Sequence, residues 1–323
     1  MADALAGRPR QDVAFGWRAL DGVIALRDRL RTDRLGAARP YLMLVPAMAL
    51  VLLLAIGLLY LLWASFHGFD AFLLKQGPFS LEQYRRLVQP PSGAFYRQVI
   101  IRTVVISVTV TAVSVVGSLP IAYFIVRTRS NAARAAGLLF LLVPFLMGEI
   151  VRSFGWSLIL GKRGALAWLT SLVGGTSDGI LGTSWAVWFG MLQVSLPLAA
   201  LLVLPAVRRI HPDVERAAET LGARPSRVWW HVIIPLARPG LVAGASIALL
   251  LNLAEYDMPQ ILGLGRLPFT ANIIQQIYSL QNNMNFGAAL SWILIVVATV
   301  TVLAMAALGL RGPSTSTGTG GSK

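Results

Sequence analysis

Long uncharged runs alternate with short polar segments along this chain. Each run approaches or exceeds the length of about 20 residues that a helix needs to cross the hydrocarbon core of a bilayer. No strand-length alternation accompanies them, and lipid-exposed backbone must satisfy its own hydrogen bonds. The pattern therefore predicts an all-α integral membrane protein with six transmembrane helices. The predicted spans are Pro40–Phe66, Thr103–Val126, a third that begins near Ala135 and meets Glu149 and Arg152, Gly179–Val207, Gly240–Met258 and Phe286–Leu310.

Composition and charge narrow this picture. Hydrophobic residues make up 56% of the chain and charged residues 13%, which is unlike a soluble domain. The net charge of +14 suggests nucleic acid as a partner only if the positive charges face one soluble surface. With the N-terminus inside, nineteen Lys and Arg residues fall inside and eight outside. The positive-inside rule thus predicts cytoplasmic N- and C-termini and no nucleic-acid partner.

A charged segment interrupts the apolar pattern between the fourth and fifth predicted spans. We call His211–Gly240 the central polar loop; the charge distribution places it in the cytoplasm. Asp213 is a suitable N-cap for a short helix, and Glu215 in the first turn favours the helix dipole. Gly222 then stands where such a helix ends in the left-handed conformation.

The rest of the central polar loop predicts a hinge and a second helix. Ala217 and Ala218 give the first helix a small-residue face. Pro225 suits the start of a second helix, and Pro235 is expected to end it. Because ordered, charged sequence between spans is unusual, the loop is predicted to dock a partner.

This loop resembles the Glu-Ala-Ala loop of type I binding-protein-dependent ABC importer permeases. The family pattern is Glu-Ala-Ala, three residues, Gly, nine residues, then Ile-x-Leu-Pro. Arg216 stands where the pattern has Glu, and Glu215 precedes it by one residue. The matching residues are Ala217, Ala218 and Gly222 in the first half and Val232, Ile234 and Pro235 in the second.

The resemblance extends over residues 41–310 and is closest to the spermidine/putrescine branch. It implies the type I ABC importer permease fold over residues 40–310, with a coupling loop at 208–239 that inserts a helix into an ATPase subunit. It also implies a multi-pass protein of the bacterial inner (plasma) membrane. The expected partners are cytoplasmic ABC ATPase subunits, a second and different permease chain, and a periplasmic or surface solute-binding protein. The stretches that carry the resemblance are Leu81–Val88, Arg102–Arg129, Leu141–Gly164 and Glu255–Gly263.

Two terminal segments flank the permease domain. Residues 1–39 form a basic cytoplasmic segment, and both an interfacial helix on anionic membrane lipid and a disordered arm fit its pattern. Residues 311–323 are of low complexity and are predicted to be a disordered cytoplasmic tail.

Four charges at membrane depth are candidates for the substrate pathway. Such groups cost roughly 2.5–3.5 kcal/mol and usually face a cavity or each other. Glu149 and Arg152 are close enough to form an ion pair, whose role is either structural or functional. Glu255 and Asp257 diverge by about 200° on a continuous helix, but a break near Pro259 lets both approach the pathway. An anionic lining suits a cationic solute; alternatively, Asp257 only anchors the outer interface. The candidate residues are Glu149, Arg152, Glu255, Tyr256 and Asp257.

The chain offers no phosphate-binding loop, metal-ligand cluster or nucleophile–base pair, so no catalytic residue or cofactor is predicted. We expect a non-catalytic permease subunit of an ATP-driven importer for a polyamine or similar cation. The uncharged polar segment Leu267–Phe286 is expected to be an outer loop that meets the binding protein. The alternatives are a self-contained secondary transporter or channel, a membrane scaffold, and an importer permease for ferric iron, phosphonate or another solute.

Overall fold

A computed structural model describes residues 33–70, 75–172, 179–281 and 283–310. The predictions for the basic N-terminal segment up to residue 32 and for the tail from residue 311 concern residues outside these ranges. The helices and strands are α1 Asp33–Ser65, β1 His67–Asp70, β2 Lys75–Phe79, α2 Glu82–Val88, α3 Ser92–Arg127, α4 Asn131–Leu146, α5 Glu149–Leu160, α6 Ala165–Leu172, α7 Ser184–Arg209, α8 Pro212–Thr220, α9 Pro225–Val228, a π-helical turn Trp229–Ile233, α10 Ile234–Ala254, α11 Asp257–Leu262, α12 Thr270–Leu280 and α13 Met284–Leu310.

The described residues contain five helices that are long and apolar enough to cross a membrane. A sixth span is obtained if α4 and the helical residues Glu149–Leu172, which bend by 101°, count as one. The described part of the chain is thus mostly helical, and its spans follow the predicted order. The five unbroken candidates are Leu44–Ser65, Ser92–Arg127, Ser184–Arg209, Pro225–Ala254 and Met284–Ala307.

The chain divides into two compact units between Tyr60 and Leu61. In the first unit, the part of α1 from Leu44 to Tyr60 exposes almost all of its large apolar side chains. A helix that is apolar all round is stable in lipid, because its backbone groups bond within the helix.

The second unit is built around α3, α7 and α10, which pack against one another. Asn252 on α10 joins all three helices. Its side-chain amide donates to the hydroxyls of Thr111 and Ser195, each at 3.0 Å, and its backbone carbonyl accepts from the Ser107 hydroxyl at 2.9 Å. All four residues are buried, so these polar groups satisfy one another inside an apolar bundle.

The third predicted span is broken, where the sequence predicted continuity. Met147 and Gly148 are extended, so α4 ends before them and Glu149 begins a new helix, α5. Glu149 and Arg152 therefore lie in the first turn of a separate helix. The break places the Glu149 carboxylate near free backbone N–H groups, a position that the helix dipole favours.

The fifth predicted span also breaks, but earlier than the predicted position at Pro259. α10 ends at Ala254 and α11 begins at Asp257. Pro259 lies in the first turn of α11, where its missing N–H costs no hydrogen bond. The Tyr256 carbonyl at the break accepts from the Asn272 amide at 2.9 Å.

Two features differ in detail from the all-α prediction and from the predicted loop between the last two spans. Strands β1 and β2 form an antiparallel hairpin, so the chain is not purely α-helical. Asn285 supports the hairpin by donating to the carbonyls of His67 and Gly68 at 3.0 and 2.9 Å. The segment predicted as a loop, Leu267–Phe286, contains α12. Ile273 and Ile277 are buried on one face of this helix, although most of the surrounding sequence is polar.

We predict that Asn252→Leu lowers the free energy of unfolding by about 1–3 kcal/mol, since Thr111 and Ser195 both lose a buried donor. The measurement is the melting temperature of the purified chain in detergent. Leu250→Ala, on an exposed position of α10, is the control and should shift melting less. Equal melting of Asn252→Leu and wild type would contradict the prediction.

Candidate functional site

The first helix of the central polar loop begins two residues earlier than a cap at Asp213 predicts. α8 starts at Pro212, and the N-cap is His211, whose Nδ1 accepts from the Asp213 backbone N–H at 3.4 Å. The prediction that Asp213 is the N-cap is therefore wrong. Pro212 takes the first helical position, where its fixed φ is favourable. The Asp213 carboxylate instead accepts from Arg216 at 2.8 Å.

The end of α8 agrees with the prediction. Gly222 has a φ of +81°, and the backbone N–H groups of Gly222 and Ala223 donate back to Glu219 and Ala218. This is a Schellman motif, which needs a left-handed residue at the Gly222 position. The hinge after α8 is thus fixed by backbone hydrogen bonds.

The second helix starts at Pro225 as predicted, but Pro235 does not end it. The helical run continues from Pro225 through a π-helical turn at Trp229–Ile233 into α10. Pro235 lies in the first turn after the π-helical turn. A change of helical register supplies the room that the proline ring requires. The central polar loop is therefore continuous with a membrane-spanning helix.

Glu215 anchors α8 to the bundle through Arg127, the last residue of α3. The Glu215 carboxylate accepts from Arg127 Nε at 3.0 Å and from Arg127 Nη2, and from the Tyr123 hydroxyl at 2.8 Å. Arg127 Nη2 also donates to the Ile210 carbonyl at 2.8 Å. The Glu215 side chain is only 12% exposed, so the pair is shielded from water and salt.

The two alanines of the loop face different surroundings. Ala218 packs against the apolar core that α3, α7 and the helical run from Pro225 share. Ala217 is exposed, as is Arg216, whose side chain is 71% exposed. One face of α8 is therefore held by the bundle, and the other carries Arg216 and Ala217 outward.

A second candidate site is a cavity of about 400 Å³ between α5, α7 and the break between α10 and α11. The structure brings together there all five residues that the sequence suggested for a substrate pathway. α5 and α11 each begin at a break in a longer helical segment, and residues of both first turns line this cavity. The cavity is lined by Glu149, Arg152, Asn252, Glu255, Tyr256 and Asp257, among others.

The charged groups of the cavity are incompletely paired. Arg152 Nη2 lies 3.7 Å from Glu149 Oε1, and Arg152 Nη1 donates to the Pro144 carbonyl at 3.2 Å. Arg152 Nε is buried and has no hydrogen-bond partner among the described residues. The Glu255 carboxylate accepts from the Met258 backbone N–H at 3.2 Å and so caps α11. The carboxylates of the cavity keep hydrogen-bonding capacity for a solute.

The sequence identified the residues at the cavity but missed those that hold both sites in place. In the sequence, Arg127 is indistinguishable from other basic residues at the ends of spans. Its partner Glu215 lies 88 residues away. Asn252 is a single polar residue in an apolar run, a pattern that signals a partner inside the bundle. Its partners on two other helices have no local sequence signal.

Residues 40–311 match the family described as "Binding-protein-dependent transport system inner membrane component". The chain belongs to this family. It is therefore a multi-pass protein of the bacterial inner membrane and a non-catalytic permease subunit of an ABC importer.

Curated relatives support the family and name several solutes. The chain is 30% identical over 272 residues to the inner membrane ABC transporter permease protein YdcU of Escherichia coli, covering 78% of this chain and 84% of the relative. It is 28% identical to the spermidine/putrescine permease PotB of Haemophilus influenzae, covering 75% and 80%. It is 30% identical over 198 residues to the molybdenum transport permease ModB of Mycobacterium bovis, covering 61% and 74%.

Solved structures support the fold. A bacterial ABC transporter that imports the acidic polysaccharide alginate matches with a TM-score of 0.67 and 17% identity, covering 88% of this chain and 99% of that one. The MetNI methionine ABC transporter, in an inward-facing conformation, matches with a TM-score of 0.52 and 18% identity, covering 68% and 97%. Both matched chains come from structures of ABC transporters.

We predict that Glu215→Gln frees α8 from the bundle, because it removes the charged partner of Arg127. Hydrogen bonds to charged groups contribute about 1.5–3 kcal/mol, so amide exchange in residues 213–222 should become about tenfold faster or more. Hydrogen–deuterium exchange with mass spectrometry measures this rate. Glu219→Gln, at an exposed position of α8, is the matched control; equal exchange in both variants would rule out the anchoring role.

Proposed function

We propose that this chain forms one half of the membrane path of an ATP-driven importer for a small organic cation of the polyamine class. The observation that carries the choice of solute is the cavity. Glu149, Glu255 and Asp257 line it with three carboxylates, against one guanidinium from Arg152. A cavity with excess negative charge attracts cations and repels anions.

The relatives favour the same class of solute without deciding it. PotB of Haemophilus influenzae, which is named for spermidine and putrescine, aligns over three quarters of this chain. ModB of Mycobacterium bovis, which is named for molybdenum, aligns over less of it. The carboxylate-rich lining is unfavourable for an anionic solute, which supports an organic cation.

The central polar loop is the proposed contact for a cytoplasmic ABC ATPase subunit. The excess of Lys and Arg on its side of the membrane supports a cytoplasmic position for the loop and both termini. The Schellman turn at Gly222 and the pair between Arg127 and Glu215 make α8 a rigid projection of α3 and α10. Movement of the ATPase is thus passed to the helices that line the cavity.

Two further partners complete the proposed importer. A second, different permease chain supplies the other half of the path, and a solute-binding protein delivers the cation from outside. The outer elements that would receive it are the β1–β2 hairpin and α12, which carries the exposed amides of Gln275 and Gln276.

Reconstitution tests the function directly. The chain is co-purified with its ATPase and second permease and placed in liposomes with the binding protein outside and ATP inside. Radiolabelled putrescine should accumulate only when ATP is hydrolysed. Uptake without the ATPase, or ATP-dependent uptake of an anion in place of putrescine, would overturn the proposal.

We predict that the double variant Glu255→Gln/Asp257→Asn lowers putrescine uptake by about tenfold or more, because two of three cavity charges are lost. Initial uptake rates at low putrescine concentration measure this effect. Glu82→Gln, at an exposed pair outside the cavity, is the control and should transport normally. Normal putrescine uptake by the double variant would remove the electrostatic argument for a cation.

We predict that Ala217→Trp uncouples transport from ATP hydrolysis, because it enlarges the exposed face of α8 without entering the core. Uptake per ATP hydrolysed should fall by about tenfold. Parallel assays of phosphate release and putrescine uptake give this ratio. Ala94→Trp, at an exposed position near the start of α3, should leave the ratio unchanged; if Ala217→Trp does likewise, α8 does not contact the ATPase.

A further inference from the structure

Arg152 is the one positive charge among the residues that line the cavity, and it opposes three carboxylates. We propose that Arg152 sets the charge of the solute that this cavity accepts. The cavity then matches a divalent amine, and a third positive charge on the solute adds little affinity. The inference rests on the proposed function, because it refines the solute class of the same cavity.

The charge count leaves two unpaired negative charges. Among the described residues that line the cavity, no others carry a formal charge at neutral pH. Each charge that stays unbalanced in a partly buried site is costly, so the bound complex is most stable when the solute carries the opposite charge. Two negative charges are balanced by a diamine with both nitrogens protonated.

The charge of Arg152 acts on the cavity because no tight pair neutralises it elsewhere. Its side chain is only 9% exposed, and its separation of 3.7 Å from Glu149 exceeds a normal hydrogen bond. The Glu149 side chain is 53% exposed, so water also competes for it. Arg127 is the contrast within this chain: both its Nε and Nη2 donate to Glu215.

The fold leaves part of the hydrogen-bonding capacity of Arg152 unused, although Nη1 bonds the Pro144 carbonyl. Arg152 Nε is buried and lacks a hydrogen-bond partner among the described residues, which a purely structural arginine avoids. Glu255 lies within Coulombic range of Glu149, Arg152 and Asp257, so all four charges share one electrostatic field. Changing Arg152 therefore changes the charge that a solute meets at each carboxylate.

The test measures how affinity depends on solute charge. Butylamine, putrescine and spermidine carry one, two and three positive charges, respectively. Their binding to the assembled importer in lipid nanodiscs, without its binding protein, is measured by calorimetry at low salt. The affinity of the wild type should rise strongly from butylamine to putrescine and little from putrescine to spermidine. Arg152→Gln should bind spermidine about tenfold more tightly than putrescine, because the cavity then holds three unpaired negative charges.

Matched variants separate charge from structure. Arg152→Lys keeps the charge and should retain the wild-type dependence, and so should Arg163→Gln, which removes an exposed arginine outside the cavity. Glu149→Gln changes a half-exposed side chain and should abolish most of the increase in affinity from butylamine to putrescine. This variant tests the same count independently of how Arg152→Gln folds.

The outcomes distinguish the two proposals. If wild type shows no gain from butylamine to putrescine, the cavity is not a cation site, and the proposed function fails together with the inference. If that gain is present but Arg152→Gln and Glu149→Gln both keep the wild-type dependence, only the role of Arg152 is overturned. A new gain from putrescine to spermidine in Arg152→Gln, absent in Arg152→Lys, supports it.

Discussion

The satisfaction of buried polar groups where two membrane helices break is the constraint on which this structure depends. In lipid, a broken helix leaves backbone groups that no water can reach, so breaks persist only where protein supplies the missing partners. Asn272 bonds the Tyr256 carbonyl and the Glu255 carboxylate caps α11. Asn252, two residues before the end of α10, ties this helix to α3 and α7. These contacts create a cavity in an otherwise apolar bundle.

The same helices extend from the cavity to the central polar loop. α3 carries Thr111 near the cavity and ends in Arg127, which holds Glu215 on α8. α10 continues without interruption from the helical run that follows the Gly222 hinge. The helical run from Pro225 thus connects the loop to the cavity lining at Asn252, and α3 connects α8 to Thr111, which bonds Asn252.

The sequence predicted the features that follow from local composition and missed those that depend on partners distant in the chain. The order of the apolar helices and the Gly222 turn follow from hydrophobicity and backbone preference, and the structure has both, although the third and fifth predicted spans are broken. The cap at Asp213 failed because Pro212 competes for the first helical position. The termination at Pro235 failed because a π-helical turn accommodates the ring. The pair between Arg127 and Glu215 joins residues 88 positions apart, so no local pattern reveals it.

The proposed function requires an electronegative cavity, and thiol chemistry measures that property directly. The chain contains no cysteine, so Val194→Cys introduces a single reactive group in the cavity lining. The rates of its modification by a cationic and by an anionic methanethiosulfonate reagent of similar size are compared in membrane vesicles. We predict that the cationic reagent reacts about tenfold faster and that high salt reduces the difference. Equal rates at low salt, or faster reaction of the anionic reagent, would contradict it.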